Sequence, residues 1–169
     1  GELEQIIHVL ENDDCSVHLR KPHYSQAEYE DLLQAIPAEY HSRIVITDYY
    51  FLHTKYSVRG LHFPSAKRTV AQSIQFKGTK STSCHSIEEL QAIDGQFDYA
   101  FLSPVFPSIS KQDYKADWDM QNVEEYLHTT RKTNVIALGG IDAGNISMIE
   151  KWGFDGYALL GSVWENSKN

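Results

Sequence analysis

Two glycine-containing segments near the end of the chain have the residue types that bind phosphate. Gly139 and Gly140 follow the apolar run VIAL, and Gly161 and Ser162 follow the run YALL. Glycine permits a sharp turn and lets backbone N–H groups approach a ligand closely. In a parallel barrel the turns after the seventh and eighth strands hold phosphate in this way. The two turns therefore predict a phosphate site, although two tight turns alone would also explain these residues.

Other polar side chains follow short apolar runs elsewhere in the chain. Arg20 has a planar guanidinium that fits a carboxylate or a phosphate, and a surface salt bridge is an equally good explanation. His85 lies between a strand-like run and a helix cap, where an imidazole can act as an acid or a base near neutral pH. The remaining polar residues in such positions are His18, Thr47, Asp48, His62, Ser83, Ser108, Ser110 and Lys111.

The residues by themselves predict no metal site. Asp48 is a single carboxylate next to a strand end, where an aspartate is often a helix cap. No His/Cys/Asp cluster in the sequence has the spacing of metal ligands. The sequence also has no nucleophile elbow and no Ser-His-Asp order.

Alternating strands and helices would position these residues. Apolar residues at positions 3, 6, 7, 9 and 10 predict a helix over 2–12. Ser25 with Glu28, and Ser86 with Glu89, match the capping-box pattern that begins a helix. Asp142 is expected to cap a helix that includes NISMIEKW and ends at Gly153. Strands are predicted over 15–20, 43–47, 60–63, 81–84, 98–103, 135–138 and 156–160, and further helices over 122–130 and from Val163.

This alternation predicts a parallel sheet in a single domain over residues 1–169. The fold class is α/β, and the architecture is a (β/α)8 TIM barrel, which needs eight strands. Only seven strands are predicted, so we expect the first strand and the end of the last helix to be missing from this chain.

Composition excludes several classes of partner. The formal charge of −8 argues against nucleic acid, because phosphate backbones bind a basic face. No apolar run has the roughly 20 residues of a membrane span, and no signal segment opens the chain. The two cysteines, Cys15 and Cys84, are expected to be reduced thiols. We therefore predict a cytoplasmic protein with no nucleic acid or membrane partner, and a homodimer is left open.

Seven segments resemble, in order, the motifs of the thiamine phosphate synthase/TenI family. They are VHLRKP, ITDYY, GLHFPS, SCHSIEEL, SPVFPSISK, VIALGGI and LLGSV, and they extend from Val17 to Val163. Their most specific part is S-x-H-S-x-E-E followed by P-V-F-P and A-x-G-G-I. The resemblance implies a (β/α)8 barrel, as the alternation does.

The family has two branches with different chemistry. Thiamine phosphate synthases join hydroxymethylpyrimidine pyrophosphate to thiazole phosphate with the help of magnesium. TenI-like proteins resemble them, and their characterised activity is the tautomerisation of a carboxythiazole phosphate without a metal. The expected ligand is a phosphorylated thiazole in both cases.

Departures from the synthase pattern favour the TenI branch. The chain has HLRKP where synthases have Q-L-R-E-K, and Thr47-Asp48 where they have Asn-Asp. Lys67 stands at the second metal-binding Asp, and a lysine repels a divalent ion. We therefore expect a thiazole tautomerase without a cofactor, with magnesium only if the synthase alternative holds.

The resemblance also implies residue roles. His85 matches the TenI histidine that moves the proton, and Arg20 would bind the thiazole carboxylate. The implied substrate-binding residues are His18, Arg20, Ser83, Ser108, Ser110 and Lys111, and the implied phosphate-binding residues are Gly139, Gly140, Gly161 and Ser162. Ser108, Ser110 and Lys111 match the loop with which synthases bind pyrophosphate, which keeps that alternative open. A third alternative is a regulator that binds thiazole or thiamine phosphate without catalysis.

Overall fold

The structure is a computed structural model that describes residues 1–106 and 119–160. The chain divides into two compact units, residues 1–81 and 82–169. Seven strands form one sheet in chain order, and the fourth strand begins in the first unit and ends in the second. The predicted α/β fold with a parallel sheet is confirmed in its order of elements.

The first unit holds three helices and three complete strands, with the start of a fourth. These are α1 (Glu2–Asn12), β1 (Val17–Leu19), α2 (Gln26–Ala35), β2 (Ile44–Ile46), β3 (Gly60–Phe63), α3 (Arg68–Ser73) and β4 (Thr79–Cys84), with 3-10 turns at Ala38–Arg43, Tyr50–Thr54 and Ser65–Lys67. β1 pairs with β2, and β2 with β3, both in parallel. All three residues of β2 are fully buried, as expected of a strand that is covered on both faces.

In this unit, the predicted helix boundaries are confirmed where they depend on residues only a few positions apart in the sequence. The helix over 2–12 forms as expected and buries Ile6 and Leu10. Ser25 and Glu28 form a complete capping box, in which Ser25 Oγ accepts from the Glu28 N–H and Glu28 Oε2 accepts from the Ser25 N–H. β1 is shorter than predicted, because the Cys15 carbonyl accepts from Arg43 Nε at 2.8 Å. The short α3 was not predicted.

The second unit continues the alternation of strands and helices. Its elements are the end of β4, α4 (Ile87–Ile93), β5 (Tyr99–Leu102), α5 (Met120–Leu127), β6 (Asn134–Leu138), α6 (Ile146–Trp152) and β7 (Gly156–Ala158). β5 pairs with β6, and β6 with β7, again in parallel. Ala100 on β5 and Val135 and Ala137 on β6 are fully buried.

The prediction for the start of α6 is wrong. The helix begins at Ile146 with Asn145 as its N-cap, not at Asp142. The Asp142 carboxylate instead accepts from the Gly144 N–H at 2.8 Å, in a turn before the helix. The predicted end is confirmed, because Gly153 has a φ of 93° in the left-handed region that glycine tolerates.

Helices able to cross a membrane are absent from residues 1–106 and 119–160. The helix predicted from Val163 lies outside the described residues.

Candidate functional site

β1 and β3 bring two histidine rings together in the first unit. His18 on β1 and His62 on β3 have ring centroids 5.2 Å apart in an edge-to-face arrangement. His62 Nδ1 lies 2.9 Å from Ser81 Oγ on β4. The ends of these strands therefore place the predicted substrate-binding residue His18 against His62, which the sequence also marks as a polar residue at a strand end.

Both rings are neutral at physiological pH. Burial lowers the pKa of His18 to about 3, and the neighbouring His62 adds to this shift. Burial also lowers the pKa of His62 to about 4, with a further contribution from the positive charge of Arg20. Because both imidazoles are neutral, they can form hydrogen bonds but add no charge to the site. The positive charge near them is that of Arg20.

A buried tyrosine joins the carboxyl ends of β1 and β2. The Tyr29 hydroxyl donates to the Leu19 carbonyl at 2.6 Å and accepts from the Thr47 N–H at 3.1 Å. Thr47 Oγ1 donates to the same carbonyl at 2.8 Å. Burial raises the pKa of Tyr29 to about 12, so its hydroxyl keeps its proton. These bonds position the residues that follow each strand, Arg20 and Asp48.

Asp48 is paired with Lys67, the lysine that the resemblance aligns with a second metal-binding position. Lys67 Nζ lies 2.9 Å from Asp48 Oδ1, and it lies 5.8 Å from the centroid of the Tyr50 ring. The Tyr50 hydroxyl donates to the His62 carbonyl at 2.9 Å. Lys67 is therefore held between a carboxylate and an aromatic face.

A synthase-type magnesium site does not fit these residues. Magnesium binds oxygen ligands, and proteins usually hold it through one or two carboxylates together with substrate phosphates and water, so the carboxylate must be available to the ion. The carboxylate of Asp48 is already neutralised by Lys67. Within the described ranges, no group of three or more His, Cys, Asp or Glu residues could hold a metal ion.

In the second unit, His85 follows β4 and is exposed. Its Nδ1 lies 2.9 Å from the carbonyl oxygen of Ser103, which can only accept a hydrogen bond. The neutral ring therefore carries its proton on Nδ1, and Nε2 is left as the basic atom. Ser86 Oγ accepts from the Glu89 N–H at 3.1 Å, while Glu89 Oε1 accepts from the His85 N–H at 3.3 Å. This cap fixes the backbone of His85 at the start of α4.

Gly139 and Gly140 pack against the segment that follows β5. A Cβ at Gly139 would lie 2.9 Å from Pro104 Cα, and one at Gly140 would lie 2.8 Å from Phe106 Cβ. The Phe106 N–H donates to the Gly139 carbonyl at 3.1 Å. This packing requires glycine at both positions without any ligand, and phosphate binding there stays a prediction.

Five predicted site residues lie outside the described residues: Ser108, Ser110, Lys111, Gly161 and Ser162. Ser83 is half-buried on β4. Among the described candidates, the first unit groups His18 and Arg20 with His62, Asp48 and Lys67. His62 lies on β3 and Lys67 follows it in the sequence, and a position near the strand end is the signal for both.

The chain is an α/β protein with a parallel sheet, and polar residues follow the ends of its strands. Proteins of this kind place their functional side chains at that edge of the sheet. Residues 2–163 match the model of a family described as thiamine monophosphate synthase, and the chain belongs to this family. The predicted resemblance is confirmed.

Curated relatives carry the same name. The chain is 26% identical over 135 residues to a thiamine-phosphate synthase of Listeria welshimeri, covering 77% of this chain and 65% of the relative. It is 26% identical over 134 residues to a thiamine-phosphate synthase of Bacillus thuringiensis subsp. konkukian, covering 78% of this chain and 61% of that protein. The chain thus spans less than two thirds of these relatives.

Two solved structures are similar. A thiamine phosphate pyrophosphorylase from Bacteroides thetaiotaomicron has a TM-score of 0.79 and 31% identity, covering 97% of this chain and 78% of that chain. A thiamine phosphate pyrophosphorylase from Pyrococcus furiosus has a TM-score of 0.74 and 22% identity, covering 94% of this chain and 79% of that chain. The second likeness concerns the fold alone.

Proposed function

We propose that the protein is a transferase of the thiamine-phosphate-synthase type, which joins hydroxymethylpyrimidine pyrophosphate to thiazole phosphate and releases pyrophosphate. The observation that carries this proposal is the likeness, at 31% identity and a TM-score of 0.79, to a protein named thiamine phosphate pyrophosphorylase. The family match over residues 2–163 supports it as well. The protein acts in thiamine biosynthesis in the cytoplasm, and its partners are phosphorylated small molecules.

The first unit supplies the groups that this function requires. Arg20 offers a fixed positive charge with a fork of donors suited to phosphate oxygens. The neutral rings of His18 and His62 add no charge beside Arg20. In this proposal Gly139, Gly140, Gly161 and Ser162 bind a phosphate, and Ser83, Ser108, Ser110 and Lys111 bind substrate, as the resemblance implies.

A second candidate is the tautomerisation of a carboxythiazole phosphate, and the Asp48–Lys67 ion pair favours it because that reaction needs no metal. In this candidate His85 moves the proton through Nε2, since Nδ1 is engaged with Ser103 O. Arg20 would bind the carboxylate of the thiazole.

The fold that we propose for both candidates is an eight-stranded (β/α)8 barrel formed as one domain. The described residues supply seven strands of it. The likeness to the Bacteroides thetaiotaomicron structure over 97% of this chain supports the proposal.

Turnover of the two sets of substrates separates the candidates. The purified chain is incubated with hydroxymethylpyrimidine pyrophosphate and thiazole phosphate, with and without magnesium, and thiamine phosphate is measured. A parallel assay follows aromatisation of the carboxythiazole phosphate in EDTA. We expect thiamine phosphate to form, and Arg20→Ala to slow its formation while Arg59→Ala, at an exposed arginine, does not.

Aromatisation without thiamine phosphate formation would replace the first candidate with the second. Saturable binding of thiazole phosphate without conversion in either assay would contradict both candidates and favour a regulator.

A further inference from the structure

Asp48 and Lys67 form an ion pair whose position is fixed by neighbouring side chains. Lys67 Nζ lies 2.9 Å from Asp48 Oδ1 and faces the Tyr50 ring, whose hydroxyl is anchored on the His62 carbonyl. The two side chains are 46% and 28% exposed, so the pair is accessible to a ligand. The ammonium has three donor protons, of which Asp48 takes one, so the others can contact ligand oxygens.

We propose that the Lys67 ammonium takes the place of a divalent cation beside Asp48, so that this site binds the anionic group of its substrate without magnesium. This inference rests on the proposed function in one respect, namely that the substrate carries a phosphate or pyrophosphate. A divalent ion would have to displace Lys67 from Asp48 and then lie close to its positive charge, which is repulsive. Lys67 together with Arg20 exceeds the charge of Asp48 by one positive unit, which favours an anion.

The chain offers a matched control for this pair. Lys55 Nζ lies 2.9 Å from Glu30 Oε1 in the same unit, with Lys55 57% exposed. Lys55 and Lys67 thus make ion pairs of equal length, but Lys55 belongs to no candidate site. Variants at the two lysines therefore remove an ion pair of equal length at two different places.

Binding of Mn²⁺, followed by electron paramagnetic resonance, tests whether Lys67 excludes a divalent cation. The probe is the metal alone, added to the unmodified chain, to Lys67→Asp and to Lys55→Met. We expect the unmodified chain and Lys55→Met to show no saturable binding, and Lys67→Asp to bind Mn²⁺ saturably, since it adds a carboxylate ligand beside Asp48. Saturable binding by the unmodified chain would overturn the inference, as would equal binding by all three proteins.

Binding of inorganic pyrophosphate in EDTA, measured by calorimetry, tests whether Lys67 contacts the anion. We expect the unmodified chain and Lys55→Met to bind it alike, and Lys67→Met to bind about 10- to 100-fold more weakly, as expected from loss of a charge-assisted hydrogen bond. Binding that appears only when magnesium is added would refute the inference. Neither measurement uses turnover. A protein that forms no thiamine phosphate would therefore contradict the proposed function without changing what these binding measurements say about Lys67. Circular dichroism of each variant verifies that it is folded.

Discussion

At the scale of single residues, the histidines differ in their surroundings and therefore in what they can do. His18 and His62 are neutral because burial makes their charged forms unfavourable. His85 is exposed, and its Nδ1 is tied to the Ser103 carbonyl, which leaves Nε2 to exchange a proton with a ligand. Of these three, His85 is therefore the better candidate for acid–base chemistry, and the other two are better suited to hydrogen bonding.

Replacement of His85 tests this division of roles. Under the second candidate function, His85→Ala is expected to slow the tautomerisation of the carboxythiazole phosphate by about 10²- to 10⁴-fold, the usual contribution of a general acid or base. Affinity for the ligand should stay nearly unchanged, because Arg20 and the phosphate site remain. Single-turnover rates and calorimetry measure the two quantities. His8→Ala, at an exposed position on α1, is the control, and an equal loss in that variant would contradict the assignment.

His62, which is buried, and His18, which is half-buried, also predict how stability depends on pH. Unfolded histidine binds a proton below about pH 6.5, whereas folded His62 does so near pH 4 and His18 near pH 3. The unfolded state therefore binds more protons in this window, so stability is complete above about pH 6.5 and is lost as the pH falls.

Urea unfolding at about pH 7.5 and about pH 5 measures this effect. Between these two pH values, we expect the free energy of unfolding to fall by on the order of 2 kcal/mol for each of the two histidines, His18 and His62. His62→Gln should reduce the decline, and His8→Gln should keep it. A decline that is the same in all three proteins would show that His62 does not cause it.

At the scale of elements, the strand ends are held by contacts that the adjoining turns make with other segments. Tyr29 on α2 ties the end of β1 to the end of β2, and Val105 donates its N–H to the Leu138 carbonyl at the end of β6. The turn after β6 is built around Gly139 and Gly140, which the neighbouring segment 104–106 approaches closely. The strand ends are therefore preformed before any ligand binds.

Gly140→Ala tests whether this turn needs glycine for its own structure. The residue has a φ of 65°, and the new Cβ would lie 2.8 Å from Phe106 Cβ. We expect a loss of more than about 1 kcal/mol in the free energy of unfolding without any ligand. Gly144→Ala is the control, since its Cβ would meet only the end of the Asp142 side chain, at 3.1 Å.

Urea unfolding and phosphate calorimetry are measured on both glycine variants. An unchanged stability with weakened phosphate binding in Gly140→Ala would show that the glycine serves the ligand and not the turn.

At the scale of the whole molecule, the family is established and the single domain over residues 1–169 stays a prediction. The formal charge of −8 makes a local cluster of cations the feature that must attract a phosphorylated substrate. In the first unit Arg20 and Lys67 are two such cations. A homodimer stays an open alternative.

The amino-acid sequence by itself determined the helix over 2–12, the capping box of Ser25 and Glu28, the alternation of strands and helices, and the family. These features depend on periodicity and on hydrogen bonds that span only a few residues, so they are visible in the order of residues. From the resemblance, Lys67 also argues against a synthase-type magnesium site, and this stays a prediction.

The surroundings of each candidate side chain are visible only in the folded chain. Lys67 meets Asp48 across 19 residues of chain, and His62 meets Ser81 across another 19. The neutral state of His18, the true cap of α6 and the packing of Gly140 against Phe106 depend in the same way on contacts and burial. The physical reason is that charge state and packing depend on neighbours in space, which parallel strands bring together from distant parts of the chain.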